Sequence, residues 1–358
     1  MLCNIAFYVH HHGSGHIMRC LAIAKHLKNC SVTFLGSDLE KYAHLIPANI
    51  RCIYLPIDTN LDTNFNTTDN NQVAGLHYAP LNIQGQRERV SQLTLFFKES
   101  HPLLLIVDVS VEVAMLARLS GVTYIYIKQH GNRQDIAHEI AYRNAEAIIA
   151  PYDAKLEVNT EDWIVEKAFY SGNFSRFTNT FIKPSKVYNN VVTVMIGAGG
   201  SSIDSDFIKH LSDTCLNWKF NVVGDLNSSD LLPYAENVTL MRRVDEVREI
   251  INSSAIIIGN TGHNTVMEIA TMGKPFITIP EERPFEEQAV KAKALEQLDL
   301  ATIVEPTELF TTDWPALLDK AKYKSPDWEM YNNDNALDDI SGFIERIYTK
   351  IFTPATSI

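Results

Sequence analysis

Short apolar runs, many of them β-branched, recur along the chain and alternate with stretches whose apolar positions lie three and four apart. Ile5-Ala6-Phe7-Tyr8-Val9, SVTFL at 31–35, LLLIV at 103–107 and TYIYI at 123–127 have few polar positions. That pattern predicts strands covered on both faces, as in a parallel sheet. Runs at 51–55 and 146–150 complete a first series. The rhythm stops at 174–190, FSRFTNTFIKPSKVYNN, which reads as a linker, and restarts with VVTVMI at 191–196. Further strands are predicted at 219–223, 237–241, 255–259, 275–279 and 301–304, with helices near 204–216, 244–252, 263–272, 285–297 and 314–322. A last stretch, 336–350, places Leu337, Ile340, Phe343, Ile344, Ile347 and Ile351 at helical spacing.

Two successive α/β units of similar size predict two Rossmann-like domains facing each other across a cleft, with chemistry expected in the loops at the carboxyl ends of the strands. The 358 residues, 46% hydrophobic, suffice for two cores. DTNLDTNFNTTDNNQVAGLHYAP, residues 58–80, is too poor in apolar side chains to fold alone and reads as a surface loop. A formal charge of −12 weighs against a phosphate-backbone binder, so no nucleic-acid partner is expected. No apolar run approaches the roughly 20 residues of a membrane span, and no charged and apolar leader precedes Leu2. A cytoplasmic protein is the expectation, with peripheral membrane contact left open. The five cysteines form no C-x-x-C pair and read as buried free thiols.

Three loops carry candidate chemistry. The first is HHHGSGHIMRCLAIAKHL, residues 10–27, directly after the first strand. Gly13-Ser14-Gly15-His16-Ile17-Met18 lacks the third glycine of a dinucleotide fingerprint. His10, His12 and His16 offer enough nitrogens for a metal, yet no carboxylate or cysteine is nearby in sequence and Gly13 interrupts the strand, so no metal is expected. His10 to His12 read as lining a polar loop. His16 differs, because a histidine opening a helix on a turn freed by two glycines points into the cleft, where a neutral imidazole suits a general base. The second loop, Gly197-Ala198-Gly199-Gly200-Ser201-Ser202, lets backbone N–H groups approach an anion such as a diphosphate, although an empty βα turn would look similar. The third is GNTGHNTVMEIATMGKPFITIPEERPFEEQAVKAKAL, residues 259–295. Gly262, Thr265 and Glu268 are spaced three apart, so Thr265 and Glu268 share a helix face and Glu268 can receive two hydroxyls, as from a ribose diol. Gly273 and Pro275 end that helix, and Gln288 opens the next.

The pattern G-x-x-T-x-x-E, then G-x-P, then P, then Q closely resembles the donor-binding motif of GT-B glycosyltransferases, particularly family 28, which includes the lipid II-forming N-acetylglucosaminyltransferase. The resemblance covers most of the chain and is strongest over 191–304. It implies that Glu268 holds the ribose of UDP, that Gly262, His263, Asn264 and Thr265 face the diphosphate, and that Gln288 contacts the donor sugar. By the same resemblance Gly15 and the turn Gly199, Gly200 and Ser201 border the donor, the backbone near Val244 reads uracil, and the helix at 336–352 crosses back to the first domain. The implied division is an acceptor-side domain over 1–185 plus 336–352 and a donor-binding domain over 191–330.

That resemblance implies an inverting, metal-independent transfer of a sugar from a UDP-sugar to a hydroxyl of a carbohydrate or lipid-linked acceptor, in cell-envelope polysaccharide biosynthesis, without a cofactor. His16 would be the base. Asp108, closing the strand before "VSVEVAML", would orient it or else cap the next helix. Ser14, Arg19 and His130 are expected on the acceptor side. The turn Gly13 to Leu21 is also similar to the UDP-sugar hydrolase of pseudaminic acid biosynthesis, which keeps a hydrolase or 2-epimerase of the same fold as alternatives. A nucleotide-sugar binder without turnover is a third.

Overall fold

A computed structural model describes residues 2–11, 13–59, 75–158, 160–180, 187–197, 199–226, 236–241 and 247–353. The first domain contains β1 (Cys3–Tyr8), α1 (Ser14–His26), β2 (Cys30–Gly36), β3 (Ile50–Tyr54), α2 (Gln84–Glu99), β4 (Leu104–Asp108), α3 (Val111–Leu119), β5 (Thr123–Ile127), α4 (Ile136–Asn144), β6 (Ala147–Ala150), α5 (Asp162–Lys167) and β7 (Ala168–Tyr170). Its seven strands are all parallel, in the order β3-β2-β1-β4-β5-β6-β7. The second domain contains β8 (Tyr188–Met195), α6 (Ser205–Thr214), β9 (Lys219–Val223), β10 (Val238–Met241), α7 (Val247–Ser253), β11 (Ser254–Gly259), α8 (His263–Met272), β12 (Phe276–Thr278), α9 (Glu287–Gln297), β13 (Thr302–Ile303) and α10 (Trp314–Ala321). Its six strands are also parallel, in the order β10-β9-β8-β11-β12-β13. The chain ends its described course in α11 (Ala336–Phe352).

Alternation along the strands builds a core on each face of each sheet. Ile5 and Phe7 of β1 join Ile17, Leu21 and Ile23 of α1, whereas Ala6 and Tyr8 join Leu93, Phe96 and Phe97 of α2 on the opposite face. The apolar stripe of α11 returns to the first domain, where Ile340, Ile344 and Ile347 pack against α1 and β1. A fourth cluster straddles the two domains, placing Tyr152, Leu156 and Phe177 with Met267, Leu295 and Trp328. The domains therefore share apolar burial at the base of the cleft.

Several sequence expectations shift. β7 was not predicted, because three residues of AFY directly after a helix carry no readable period. β8 starts at Tyr188, inside the stretch read as linker. Only Cys20 and Cys215 are buried; Cys3, Cys30 and Cys52 are half-buried. Most of the polar 58–80 loop and part of the 174–190 linker lie outside the described residues. Among the described residues no helix is long and apolar enough to cross a membrane.

The sheet orders fix where ligands can bind. In each sheet the winding reverses between one pair of central strands, β1/β4 in the first and β8/β11 in the second, and the loops after those strands diverge to opposite faces and leave a crevice. The two domains also touch directly at the loop after β5. Asn132 N–H donates to the Phe285 carbonyl at 2.6 Å, and Phe285 sits against the rings of His77 and His138, each 4.8 Å between centroids. Gly131 makes this approach possible: its φ is +121°, and a Cβ there would lie 2.7 Å from the Phe285 carbonyl oxygen. Gly131→Ala is expected to cost about 1–3 kcal/mol through combined strain and lost interdomain contact, measured by urea unfolding. An unchanged midpoint would show that the two loops do not hold each other.

Candidate active site

The loop after β1 and the end of β4 meet at the first crevice. Gly13 precedes α1 with φ +76°, a left-handed value that suits glycine, and turns the chain so that α1 begins at Ser14. His16 then projects onto Asp108, with Nδ1 at 2.7 Å from Oδ2. Arg19, one turn further along α1, donates from Nη2 to the other oxygen of Asp108 and lies 3.1 Å from His16 Nδ1. Asp108 is 0% exposed. Burial alone would push its carboxyl up, but the Arg19 guanidinium and His16 outweigh that and hold it well below the usual carboxylate range. With Nδ1–H donated to a carboxylate, the lone pair of His16 sits on Nε2, the tautomer a general base requires. Ser110, not Asp108, caps α3, accepting from Val113 N–H at 3.3 Å. Arg19, expected on the acceptor side, has its side chain buried against Asp108 at one edge of the cleft cavity, where it holds the pair in place.

From the second domain α8 points its amino end at the same place. Gly15 faces the carboxamide of Asn264, whose Nδ2 would lie 3.6 Å from a Cβ on Gly15. No side chain caps either α1 or α8. Two helix amino termini thus face one another with free N–H groups, an arrangement that attracts anions. Around them the buried cations Arg19, Arg133 and Lys291 face the buried carboxylate Asp108 and the half-buried Glu287. Lys291 reaches Glu287 at 3.5 Å and Arg133 reaches it at 3.6 Å. Burial presses on Glu287 from the neutral side, and Lys291 and Arg133 nonetheless hold its pKa below the ordinary value.

A cavity of about 860 Å³ runs from this point between α1 and α8, bordered by Ser14, Met18, His263, Asn264 and Glu268. Glu268 is 7% exposed, and burial raises its pKa despite a partner. That partner is Arg176, whose Nε lies 2.9 Å from Oε1. Arg176 falls in the stretch read only as linker, and no local pattern marked it. Thr265 lies within the first turn of α8, one turn before Glu268.

The glycine-rich turn is tied to the loop after β12. Arg283 donates to the carbonyls of Gly199 at 2.8 Å and Gly200 at 2.6 Å, and Ser201 donates to Glu281 at 3.2 Å. Gln288 is buried, its carboxamide oxygen accepting from Thr261 N–H at 3.1 Å and Glu281 N–H at 3.0 Å, so it fastens the loops after β11 and β12 together. Val244 and His12 lie outside the described residues.

His130, expected on the acceptor side, lies in the loop after β5. It is 1% exposed, with its ring 3.8 Å from that of Tyr152 and neither ring nitrogen hydrogen-bonded. Its cationic neighbours are Lys291, Lys128 and Arg133, because the loop after β5 is pressed beneath the second domain. Burial, reinforced by those cations, drives its pKa far down, and His263 is affected in the same way. His138 is likewise pushed down to about 3, by burial first and then by Arg133.

Among the described residues, one group has metal-ligand chemistry: His77, Asp135 and His138, with donor atoms within 4.8 Å of one another. Asp135 already accepts from His77 at 2.8 Å, from His138 Nδ1 at 2.5 Å and from the first N–H groups of α4, while Arg133 approaches His138 Nε2 at 3.1 Å. These contacts read as a hydrogen-bonded helix cap.

The solved structure of the glycotransferase of kitacinnamycin superposes with a TM-score of 0.72 at 13% identity, over 97% of this chain and 99% of that one. The chain thus has the fold of the GT-B glycosyltransferase class. Residues 216–345 match the Glycosyltransferase family 28 C-terminal domain. A UDP-N-acetylglucosamine--N-acetylmuramyl-(pentapeptide) pyrophosphoryl-undecaprenol N-acetylglucosamine transferase from Clostridium tetani is 25% identical over 175 residues, covering 45% of this chain and 48% of the relative. The protein of the same name from Flavobacterium psychrophilum is 24% identical over 351 residues, covering 86% and 87%. The match spans about half the length of the Clostridium relative.

Two outcomes follow from the buried charges. Asp108→Ala leaves Arg19 buried without its counter-charge, at an expected cost of about 3–5 kcal/mol in urea unfolding at pH 7. Because the folded pKa of Asp108 is depressed, its contribution is complete above the unfolded value of about 3.9 and is lost as pH falls through the folded one. The stability gap between wild type and Asp108→Asn should therefore narrow below about pH 4; a constant gap down to pH 2 would refute the assignment. For the histidines the sign is opposite. His130, His138 and His263 stay neutral when folded and take up protons on unfolding below about pH 6.5, so stability falls from pH 7 to 5. His130→Phe, which keeps the ring against Tyr152, should reduce that slope by up to about 1.4 kcal/mol per pH unit; an unaltered slope would mean that His130 is protonated in the fold.

Proposed function

We propose that the chain is an inverting, metal-independent glycosyltransferase that moves a sugar from a UDP-sugar to an acceptor hydroxyl. The observation that carries this reading is the His16–Asp108 contact at 2.7 Å, at the mouth of a cleft flanked by two uncapped helix amino termini. The names of the Clostridium and Flavobacterium relatives, which specify UDP-N-acetylglucosamine, support a UDP-sugar donor.

In the proposed reaction the acceptor oxygen attacks the anomeric carbon from the face opposite UDP and passes its proton to His16 Nε2. The bond from that carbon to the diphosphate oxygen breaks, and its electron pair leaves with UDP. Asp108 holds the imidazole in place and stabilises the imidazolium as it forms, and Arg19 holds Asp108. The developing charge on the diphosphate meets the N–H groups of α8, fixed before the reaction begins and partly shielded from water. Glu268 takes the ribose hydroxyls once Arg176 yields it, and the loops fastened by Gln288 shape the sugar site. In this reading residues 1–185 with 336–352 present the acceptor, and residues 191–330 bind the donor.

The test is a panel of UDP-, dTDP-, GDP- and CMP-sugars with EDTA present and no acceptor, read by calorimetry for binding and by nucleotide release. UDP-sugars should bind, about tenfold or more weakly in Glu268→Ala. Once an acceptor is supplied, His16→Ala should lower turnover by about 10²–10⁴ with donor affinity retained. Fast, His16-dependent release of UDP without acceptor would replace transfer by hydrolysis, the alternative that the Gly13 to Leu21 turn supports. Binding of no nucleotide would overturn the reading altogether.

A further inference from the structure

A second cavity, of about 690 Å³, lies wholly within the first domain, between α2, α3 and the segment at 75–79. Its walls are largely apolar and include Val90, Leu93, Val113, Leu116 and Ile140, with Tyr8 among them. It leads to the catalytic pair through a row of imidazoles. His10 and His11, both lining the cavity, stack at 5.0 Å with planes 6° apart, and the His10 ring is 5.1 Å from that of His16.

The polar groups of the cavity do not suit a phosphate. Its guanidinium, Arg89, is already engaged, donating to Tyr8 Oη at 2.7 Å, Ser37 Oγ at 2.7 Å and the Pro56 carbonyl at 2.6 Å. Against it stand two carboxylates. Glu112 is taken up by the N–H groups of His77 at 2.7 Å and Tyr78 at 2.9 Å. Asp58 is different: it is 9% exposed, its Oδ2 lies 3.6 Å from Arg89, and its Oδ1 has no hydrogen-bond partner, with His11 Nε2 at 3.7 Å. A buried acceptor atom left unmatched costs stability unless something donates to it.

We infer that this cavity receives the acceptor, and that the acceptor is a compact, uncharged, largely apolar molecule with a hydroxyl presented to His16 and a second hydrogen-bond donor that reaches Asp58 Oδ1. The inference rests on the transferase reading for its chemistry, since the bond made is the one from this hydroxyl oxygen to the anomeric carbon, with the proton on His16 and the electron pair on UDP. The volume falls within the roughly 300–1,000 Å³ of pockets for small molecules. Two carboxylates against one committed guanidinium disfavour a diphosphate-linked acceptor.

The probes are 2,6-dihydroxynaphthalene, 2,6-dimethoxynaphthalene and farnesyl diphosphate, titrated into the full chain by fluorescence, with UDP binding followed separately by calorimetry. The dihydroxy probe should bind saturably, about tenfold or more weakly in Leu116→Trp, which fills the cavity. Asp58→Asn should weaken the dihydroxy probe several-fold and leave the dimethoxy probe unchanged, while both variants bind UDP as wild type does. Dihydroxynaphthalene binding indifferent to both substitutions, or farnesyl diphosphate binding more tightly and displacing it, would overturn the inference. Failure of wild type to bind UDP is a separate result, which removes the transferase reading and is recorded independently of the probes.

Discussion

The arrangement of the site depends on one buried negative charge. Asp108 ends a strand whose other residues are all apolar and buried, and it is shielded from water on every side. An isolated carboxylate there would be far too costly to keep ionised. It is kept so by Arg19, which is itself buried and equally dependent on it, and by His16. Both partners come from α1, three residues apart on one helix face, so a single ion pair fixes the depth and rotation of α1 against β4. The direction of the imidazole is a by-product of that docking.

The same logic recurs at larger scale where the domains meet. Each sheet opens a crevice where its strand order reverses, and the two crevices face each other, so helix amino ends approach without side-chain caps. Bringing like partial charges together is unfavourable, and the interface offsets it with apolar burial around Trp328 and with Glu287, which answers both Lys291 and Arg133. His130 and His263 show what the crowding costs: set among cations, both have atoms without hydrogen-bond partners and are held neutral.

The fold was legible in the sequence because parallel strands announce themselves: VVTVMI and LLLIV admit few other readings. The restart of the rhythm after the linker identified two units, and a glycine before Ser14 and His16 marked the turn. What local pattern could not supply were contacts made across long separations. Arg176 sits among polar and aromatic residues with no periodicity, and its pairing with Glu268 exists only because the chain between the domains passes under α8. Arg19 and His130 were expected on the acceptor side, and no local pattern showed that both side chains would be buried. Burial of a single side chain depends on what lands on it from elements distant in the chain. The cavity beside Tyr8 was likewise invisible, since its walls come from α2, α3 and α4, each readable only as an ordinary amphipathic helix.

The Arg176–Glu268 pair ties the connection between the domains to the floor of the cleft. A ligand group that claims Glu268 Oε1 does so by exchange, releasing a guanidinium from the segment between the domains. Occupancy of that oxygen and freedom of the connecting segment are then two sides of one thermodynamic balance: whatever loosens the segment also frees Glu268, and whatever displaces Arg176 loosens the segment to the same degree.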